Sequence, residues 1–174
     1  MILGHLVFSG QSRLLKVYIK GAAAVGKPDG LLHTLDCHDV GINDQYVTSG
    51  LDVYGSRCKC PPGTGYVVGS PMVCATRNAD GSIKKNNDDD EAYGCYFFPL
   101  GDSDQHSFSQ HGRGGIGIHG GGSDLPNPFA LHQGWEWTLG CLRLQNIDLE
   151  QTLVPFVNWV HKQNGVVKLD VVWP

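Results

Sequence analysis

Residues 116–121 read IGIHGG and residues 138–146 read TLGCLRLQN, and these two stretches decide how the chain is interpreted. The alternation of isoleucine with glycine in the first stretch predicts a short strand that ends at His119. The glycines that follow allow the backbone to turn sharply and to present the imidazole. The second stretch carries Cys141 next to a glycine and two positions before an arginine. A histidine and a cysteine in these settings indicate nucleophilic chemistry.

The cysteine needs a partner because a thiol attacks only after it has lost its proton. Free cysteine has a pKa of about 8.5, so only a small fraction is ionised at neutral pH. We predict that Cys141 is the nucleophile and that His119 is its base. The carbonyl of Gly120 can hold the far ring nitrogen and so select the tautomer without a third, acidic residue. The amides of Gly140 and Cys141 can point at a developing oxyanion.

Three further residues are predicted to contact the substrate: Arg143, Thr138 and Trp135. Arg143 can pair with a substrate carboxylate, or it can pin the cysteine loop to the fold, and the two roles are compatible. Trp135 lies in the loop between the two motifs, where it can form the wall of a substrate groove. The neighbouring Trp137 is expected to pack that loop onto the domain.

The two stretches resemble the catalytic motif of the L,D-transpeptidase (YkuD-type) family. In that family a strand ends in Ile-His-Gly, and a later segment reads Ser/Thr-x-Gly-Cys-hydrophobic-Arg-hydrophobic-x-Asn/Asp. Residues 118–120 and 138–146 match both parts. The chain departs from the family pattern at Leu139, where the family often has histidine. It also has a longer loop between the motifs and many cysteines in residues 31–95.

The resemblance implies a two-step acyl transfer on peptidoglycan stem peptides. Cys141 would attack the diaminopimelate carbonyl of a tetrapeptide stem and release the terminal D-alanine. His119 would take the thiol proton and pass it to the leaving amine. A second stem, a free D-amino acid or water would then accept the acyl group, and the sequence leaves this choice open. The reaction requires no metal and no cofactor.

The pattern of predicted elements gives an α+β fold that is mainly β, in a single catalytic domain over residues 1–174. The resemblance implies a β-sandwich or open barrel with one main helix near the C-terminus. Apolar residues at helical spacing from Leu149 to Val160 predict that helix. Asp148 is its expected N-cap, Asn164 precedes the glycine that ends it, and Pro155 is expected to kink or split it. Residues 31–60 show no clear period and predict irregular strands and loops.

Six cysteines occur, five of them between positions 37 and 95. Clustered cysteines predict two disulfides and one spare thiol, which would suit an oxidising compartment. The alternative is a set of buried free thiols, since cysteine packs as a small apolar side chain. The pairing is left open among these five residues: Cys37, Cys58, Cys60, Cys74 and Cys95.

Composition excludes two classes of partner. The formal net charge is −4 and no basic stripe occurs, so nucleic-acid binding has no electrostatic support. No apolar run is long enough to span a membrane. The first residues also lack the pattern of a Sec signal peptide. Because peptidoglycan lies outside the cytoplasm, the resemblance implies action in the periplasm or cell wall, reached by another route or after trimming.

Some type VI secretion effectors resemble the L,D-transpeptidase family and lack signal peptides. We hypothesise that this chain is such an antibacterial effector, with a cognate immunity protein and a component of the secretion apparatus as partners. Oligomeric state is not readable from the sequence.

Two other functions compete with this interpretation. A papain-like or NlpC/P60-type peptidase places its cysteine before its histidine in the chain, whereas here the histidine comes first. A non-enzymatic cell-wall-binding module, stapled by disulfides and with an inert Cys141, remains the alternative to an enzyme. Alkylation separates the two, because an enzyme predicts a fast thiol that slows when His119 is removed.

Overall fold

Strands dominate the part of the chain that the computed structural model describes, which is residues 1–38, 59–87, 90–111, 114–136 and 138–173. The strands are β1 (Leu3–Ser9), β2 (Leu14–Lys20), β3 (Gly30–His38), β4 (Gly63–Val68), β5 (Met72–Val73), β6 (Ala75–Arg77), β7 (Ile83–Lys85), β8 (Tyr96–Gly101), β9 (Gly117–His119), β10 (Leu142–Leu144) and β11 (Val166–Val172). The helices are α1 (Asp90–Tyr93), α2 (Asn146–Asp148) and α3 (Val154–Lys162). The predicted α+β, mainly β fold is confirmed.

The first hairpin shows why alternating sequence becomes a half-buried sheet. Leu6 and Phe8 on β1, and Leu15 and Val17 on β2, have no exposed surface. The residues between them are partly or fully exposed, because successive side chains of a strand point to opposite faces. Burying four such side chains contributes about 1.5–3 kcal/mol each. This hairpin therefore supplies a large part of the core.

The strand pairings form a nearly continuous ring. Neighbouring strands follow the order β4-β11-β1-β2-β3-β10-β9-β8-β5, and β4 also pairs with β8. That last pairing joins Val67 to Gly101 and Val68 to Leu100, so the sheet curls into a barrel-like shape. Two pairings between described strands are parallel, β1 with β11 and β9 with β10, and the second of these builds the candidate site. β3 is a nine-residue strand whose pairing with β2 shifts register between Val17 and Tyr18, so residues 31–38 form one of the irregular strands expected there.

The C-terminal helical segment packs its apolar face on this sheet. Leu149, Leu153, Val157 and Val160 are almost fully buried, which confirms the predicted helical face. The segment ends as expected, with Asn164 in the left-handed region at φ +54°. Within the described ranges, no helix is long and apolar enough to cross a membrane.

The start of this segment differs from the prediction. Asp148 lies inside the helical segment, and the N-cap position is taken by Gln145, whose backbone is extended and whose side chain makes no capping bond. The side chain of Asn146 stays on the buried side, where it bonds to loop carbonyls. The sequence preference of aspartate for the N-cap is overridden because the helix begins directly at the end of β10.

Pro155 does not split the helix. α2 continues through a π-helical turn, Leu149–Leu153, into α3, where Pro155 occupies the first turn. Proline has no N–H to donate, and a wider turn before it accommodates the missing bond without a break. The expected split is therefore not seen, and Pro155 instead lies just after a local change in helical register.

The predicted disulfides are absent from the part of the chain that the structure describes, since no disulfide joins any two of Cys37, Cys60, Cys74, Cys95 and Cys141. The first two are buried in the main core, and Cys95 packs in a small separate cluster with an alanine and a phenylalanine. These three cysteines are buried among apolar side chains in separate places. Cys58 lies outside the described residues.

Candidate active site

The parallel pairing of β9 with β10 brings the two motifs together. Leu142 is opposite Ile118, and Arg143 is opposite His119. Ile118 and Leu142 have no exposed surface and face the core. Because side chains alternate along a strand, His119 and Arg143 lie on the other face. Cys141 directly precedes β10 and shares the face of Arg143.

These side chains line one cavity of about 290 Å³. Cys141, His119, Arg143 and Thr138 all contribute to its wall, together with Glu136. The cavity is near the lower end of the usual range for small-molecule sites, which is roughly 300–1,000 Å³. The structure therefore gathers four predicted site residues around a volume that accepts an amino-acid-sized group.

His119 is held in one orientation. Its Nδ1 lies 2.7 Å from the carbonyl oxygen of Gly120, so Nδ1–H donates and Nε2 is left as the basic nitrogen. Tyr93 meets the ring edge-on with a centroid distance of 5.2 Å, and Phe97 stacks on it at 5.9 Å. Burial lowers the pKa of His119 to about 3, and the positive charge of Arg143 adds to the effect. The imidazole is therefore neutral at neutral pH.

The glycines after His119 are needed for the turn that presents it. A Cβ at Gly120 would lie 2.0 Å from Oδ1 of Asn146, and Gly121 has φ +64°. The Gly120 amide donates to the carbonyl of Tyr93 over 3.0 Å, which ties the turn to α1. No other residue type fits this backbone without displacing its neighbours.

The loop that carries Cys141 is braced from within. Thr138 Oγ1 donates to the carbonyl of Cys141 over 2.7 Å and accepts the amide of Gly140 over 3.3 Å. Gly140 has φ +101°, a conformation that favours glycine. Because its amide bonds inside the loop, the oxyanion contact from Gly140 stays a prediction. The Cys141 thiol is 3.7 Å from the carbonyl oxygen of Gly115 and is 9% exposed.

Arg143 both pins the fold and faces the cavity. Its Nη1 donates to the carbonyl of Gly121, which links the cysteine strand to the histidine turn. Glu136 lies 3.8 Å from Nη1, beyond hydrogen-bond distance. The side chain is only 4% exposed, and Nε finds no hydrogen-bond partner in the described part of the chain. Burial lowers the pKa of Arg143, and the negative charges of Glu136 and of an ionised Cys141 oppose that shift, so by reciprocity Arg143 stabilises the thiolate.

Comparison with known proteins agrees with this geometry. The sequence profile of the YkuD family, the L,D-transpeptidase catalytic domain, matches residues 6–158. The chain belongs to this family. None of the curated proteins matches the chain.

The solved structures of Pgp2 share the fold of this YkuD-family chain at low sequence identity. The helical cell shape determining protein Pgp2 from Campylobacter jejuni is 19% identical, with a TM-score of 0.56 over 98% of this chain and 47% of Pgp2. A mutant of Pgp2 gives a TM-score of 0.57 with the same identity and coverage. L,D-transpeptidase 1 from Mycobacterium tuberculosis is 14% identical, with a TM-score of 0.41 over 97% of this chain and 60% of that protein. The chain therefore spans about half the length of Pgp2.

Trp135 of this YkuD domain does not line the cavity. Its indole stacks on the imidazole of His38, with ring centroids 3.8 Å apart and an interplanar angle of 6°. His38 is opposite Arg143 in the β3–β10 pairing, so Trp135 lies one strand away from the cysteine strand. Trp135 could contact substrate only in a groove that extends beyond the cavity, and this contact stays a prediction. Trp137 lies outside the described residues.

Sequence reasoning assigned no role to Asn146, the last residue of the motif. Its Nδ2 donates to the carbonyls of Pro128 and Ala130 over 2.8 and 2.7 Å, and its Oδ1 accepts the amide of Gly121 over 3.2 Å. One buried amide therefore holds both the histidine turn and the long loop. Only its place at the end of the motif signalled this role.

Proposed function

We propose that this domain is a cysteine acyl-transferase that acts on the tetrapeptide stems of peptidoglycan. The observation that carries the proposal is the shared cavity of Cys141 and His119, with the imidazole held by Gly120 in the tautomer that leaves Nε2 as the basic nitrogen. Membership of the L,D-transpeptidase family supports the chemistry, and the shared cavity supports Cys141 and His119 as its two reacting side chains.

The proposed reaction begins with transfer of the thiol proton to Nε2 of His119. The Cys141 sulfur then attacks the carbonyl of the third stem residue, and the oxygen of that carbonyl gains negative charge. Arg143 lies close enough to stabilise negative charge on the sulfur. Collapse of the tetrahedral intermediate expels D-alanine, which takes its proton from the imidazolium and leaves a thioester.

Release of the thioester needs an acceptor. An amine of a second stem gives a cross-link, a free D-amino acid gives exchange, and water gives carboxypeptidase activity. In each case His119 removes a proton from the acceptor and returns it to the sulfur. The cavity of about 290 Å³ admits any of these acceptors, so the choice among them is a matter for measurement.

The neutral state of His119 matters for this mechanism. Because burial and Arg143 lower its pKa, His119 is unprotonated and ready to act as a base at neutral pH. An imidazolium formed in that setting is a strong acid, so it transfers its proton rapidly to the leaving amine. Burial therefore makes the thiolate–imidazolium pair of Cys141 and His119 costly to form, but it also speeds proton donation from His119 to the leaving amine.

Purified protein and its Cys141→Ala variant, incubated with disaccharide-tetrapeptide muropeptides, test the proposal by mass spectrometry. We expect wild type alone to lose or exchange the terminal D-alanine, and a His119→Gln variant to be slower by at least about 100-fold. An unchanged tetrapeptide with the wild-type protein would contradict the proposal and favour a binding module.

Delivery as an antibacterial effector stays a prediction, and so do its immunity and secretion partners. It requires that the domain act on peptidoglycan in a target cell. Expression in the periplasm of a susceptible bacterium, beside the Cys141→Ala variant, is expected to slow growth only for the wild type. Equal growth of the two strains would contradict the toxin hypothesis without touching the enzymatic one.

A further inference from the structure

The cavity beside Cys141 presents one cation and one anion. Among its described lining residues only Glu136 and Arg143 carry a charge, since His119 is neutral. Glu136 comes from the long loop between the two motifs, and its side chain is 12% exposed. A carboxylate and a guanidinium this deeply placed lose most of their hydration, so each needs a partner.

The two groups lie near each other without completing a hydrogen bond. Glu136 Oε2 is 3.8 Å from Nη1 of Arg143 and accepts the amide of Asp124 over 3.3 Å. Gly122 makes this approach possible, because a Cβ there would lie 2.4 Å from both the carboxylate oxygen and the guanidinium nitrogen. The separation leaves each group able to bind a further partner of opposite charge.

Arg143 has unused donor capacity. Its Nε–H is buried and has no hydrogen-bond partner among the described residues, although the side chain as a whole is 4% exposed. A buried unsatisfied donor on a charged group destabilises the folded protein until a ligand or a solvent molecule accepts from it. Because the guanidinium lines the cavity, an anionic ligand is the natural partner for this donor.

We propose that Arg143 and Glu136 together bind a zwitterionic α-amino-acid head group, the guanidinium taking its carboxylate and the Glu136 carboxylate taking its ammonium. This inference rests on the proposed function, because the clamp shares its cavity with Cys141. It makes Glu136 a residue that determines specificity. A ligand with both charges completes the pair, whereas a ligand with one charge leaves the other group without its partner.

Two ligands of the proposed reaction carry such a head group. The free end of a diaminopimelate residue in the stem has an ammonium and a carboxylate on one carbon. A free D-amino acid, released or accepted in the reaction, has the same arrangement. The clamp recognises the shared chemistry, and the experiment separates the two sources.

The experiment compares three tetrapeptide stems that differ at the third residue: diaminopimelate with both charges, lysine with the ammonium only, and 2-aminopimelate with the carboxylate only. The readout is kcat/KM for D-alanine release by wild type, by Glu136→Gln, and by Asp124→Asn as a control with a nearby exposed carboxylate. Free D-alanine and N-acetyl-D-alanine are tested in parallel as inhibitors. Thermal unfolding of each variant verifies that it is folded, and Glu136→Asp serves as a second variant that keeps the charge.

We expect wild type to prefer diaminopimelate over each analogue by at least about tenfold. Glu136→Gln is expected to equalise diaminopimelate and 2-aminopimelate while still disfavouring lysine, and Asp124→Asn is expected to behave as wild type. If the stems show no such preference but inhibition by free D-alanine depends on its ammonium and on Glu136, then the clamp binds the free D-amino acid and not the end of diaminopimelate. Equal slowing of all three stems by Glu136→Gln, with inhibition unaffected, would overturn the clamp and leave a structural role.

Failure of the proposed function has a different signature. Wild type would then release D-alanine from none of the stems. In that case, calorimetric titration of the Cys141→Ala variant with the same three stems and with D-alanine tests whether Arg143 and Glu136 bind a zwitterionic head group. Binding that requires both ligand charges and is lost with Glu136→Gln supports it without catalysis, and binding indifferent to the charges overturns it.

Discussion

Three features of its surroundings make His119 a neutral base at Nε2. Nδ1–H is committed to the Gly120 carbonyl, the aromatic rings of Tyr93 and Phe97 exclude water, and the charge of Arg143 opposes protonation. Together they leave Nε2 as an unprotonated base. A buried neutral histidine also links folding to pH, because the unfolded chain exposes an imidazole that binds protons readily.

The first prediction follows from that linkage. The pKa of His119 is lowered to about 3 in the folded protein, against about 6.5 when unfolded, so below pH 6.5 the unfolded state binds more protons. The free energy of unfolding should therefore fall as pH drops from about 6.5 to 5, by at most about 1.4 kcal/mol per pH unit from this residue. Urea titrations of wild type and His119→Gln measure the difference.

The exposed His132 offers a matched control for this measurement, since His132→Gln leaves the buried imidazole in place. The pKa of His38 is also lowered by burial, so some pH dependence of the same sign remains in His119→Gln. Equal slopes for wild type and His119→Gln would show that folding does not lower the pKa of His119.

A second prediction at this scale concerns Gly120. In Gly120→Ala the new methyl group would meet Asn146 Oδ1 at 2.0 Å and the Leu149 side chain at 3.0 Å. We expect a loss of about 1–3 kcal/mol in the free energy of unfolding. Gly114→Ala is the control, because no atom of the described residues lies within 4 Å of the position that its Cβ would take. Equal stability of both variants would mean that the turn can shift freely.

At the scale of elements, packing is organised around the long loop between the motifs. Arg77 on β6 donates to both carboxylate oxygens of Glu150 in the π-helical turn and to the carbonyl of Phe129 in the loop, over 2.6–3.3 Å. Asn146 at the start of α2 holds the same loop from the other side. The loop that supplies Glu136 is thereby anchored to a strand and to the helix.

The third prediction tests this anchor with a double-mutant cycle. The pKa of Arg77 is raised mainly by its hydrogen bonds to Glu150, so the pair is charged and favourable in the folded protein. Both side chains are less than a quarter exposed. Arg77→Ala and Glu150→Gln should each lower the free energy of unfolding, with a coupling of about 1–3 kcal/mol. If the two effects are additive, the ion pair itself contributes nothing to stability beyond the other contacts of each side chain.

At the scale of the whole molecule, the ring of strands creates a core that the C-terminal helix covers. β1 is central to it, since it pairs with β2 on one side and with the final strand β11 on the other. The pairing with β11 joins the two ends of the described chain. Stability is therefore expected to depend on the inward side chains of β1 far more than on exposed residues of equal size.

The fourth prediction compares two leucines. Leu6→Ala removes a side chain with no exposed surface and should cost about 2–5 kcal/mol in the free energy of unfolding. Leu31→Ala, on β3, removes a side chain that is 52% exposed and should cost less than about 1 kcal/mol. Denaturant unfolding of both variants gives the comparison. Similar costs for the two leucines would mean that the ring does not form the main core.

Sequence alone predicted the mainly β class, the strand that ends at His119 and the C-terminal helix, because alternation and helical spacing can be read between near neighbours. It did not give the bounds of β3, whose first five residues are exposed despite their apolar content. Pairing with β2 holds this segment extended, with a register shift between Val17 and Tyr18. The predicted N-cap at Asp148 was wrong because the end of β10 determines where the helix begins.

What the sequence determined by itself was local: the short strands, the glycine turn after His119, the cysteine motif and the family that they indicate. The tertiary structure decided which of these residues meet. It placed His119 opposite Arg143 and turned the Gly140 amide inward to Thr138. It set the described cysteines in places where no disulfide joins them to one another. It also brought Glu136 to the cavity from a loop whose sequence shows no readable pattern. The physical reason is that periodicity and turn preferences act between near neighbours in the chain, whereas the site depends on strand register and on partners for buried charges, which only the assembled sheet specifies.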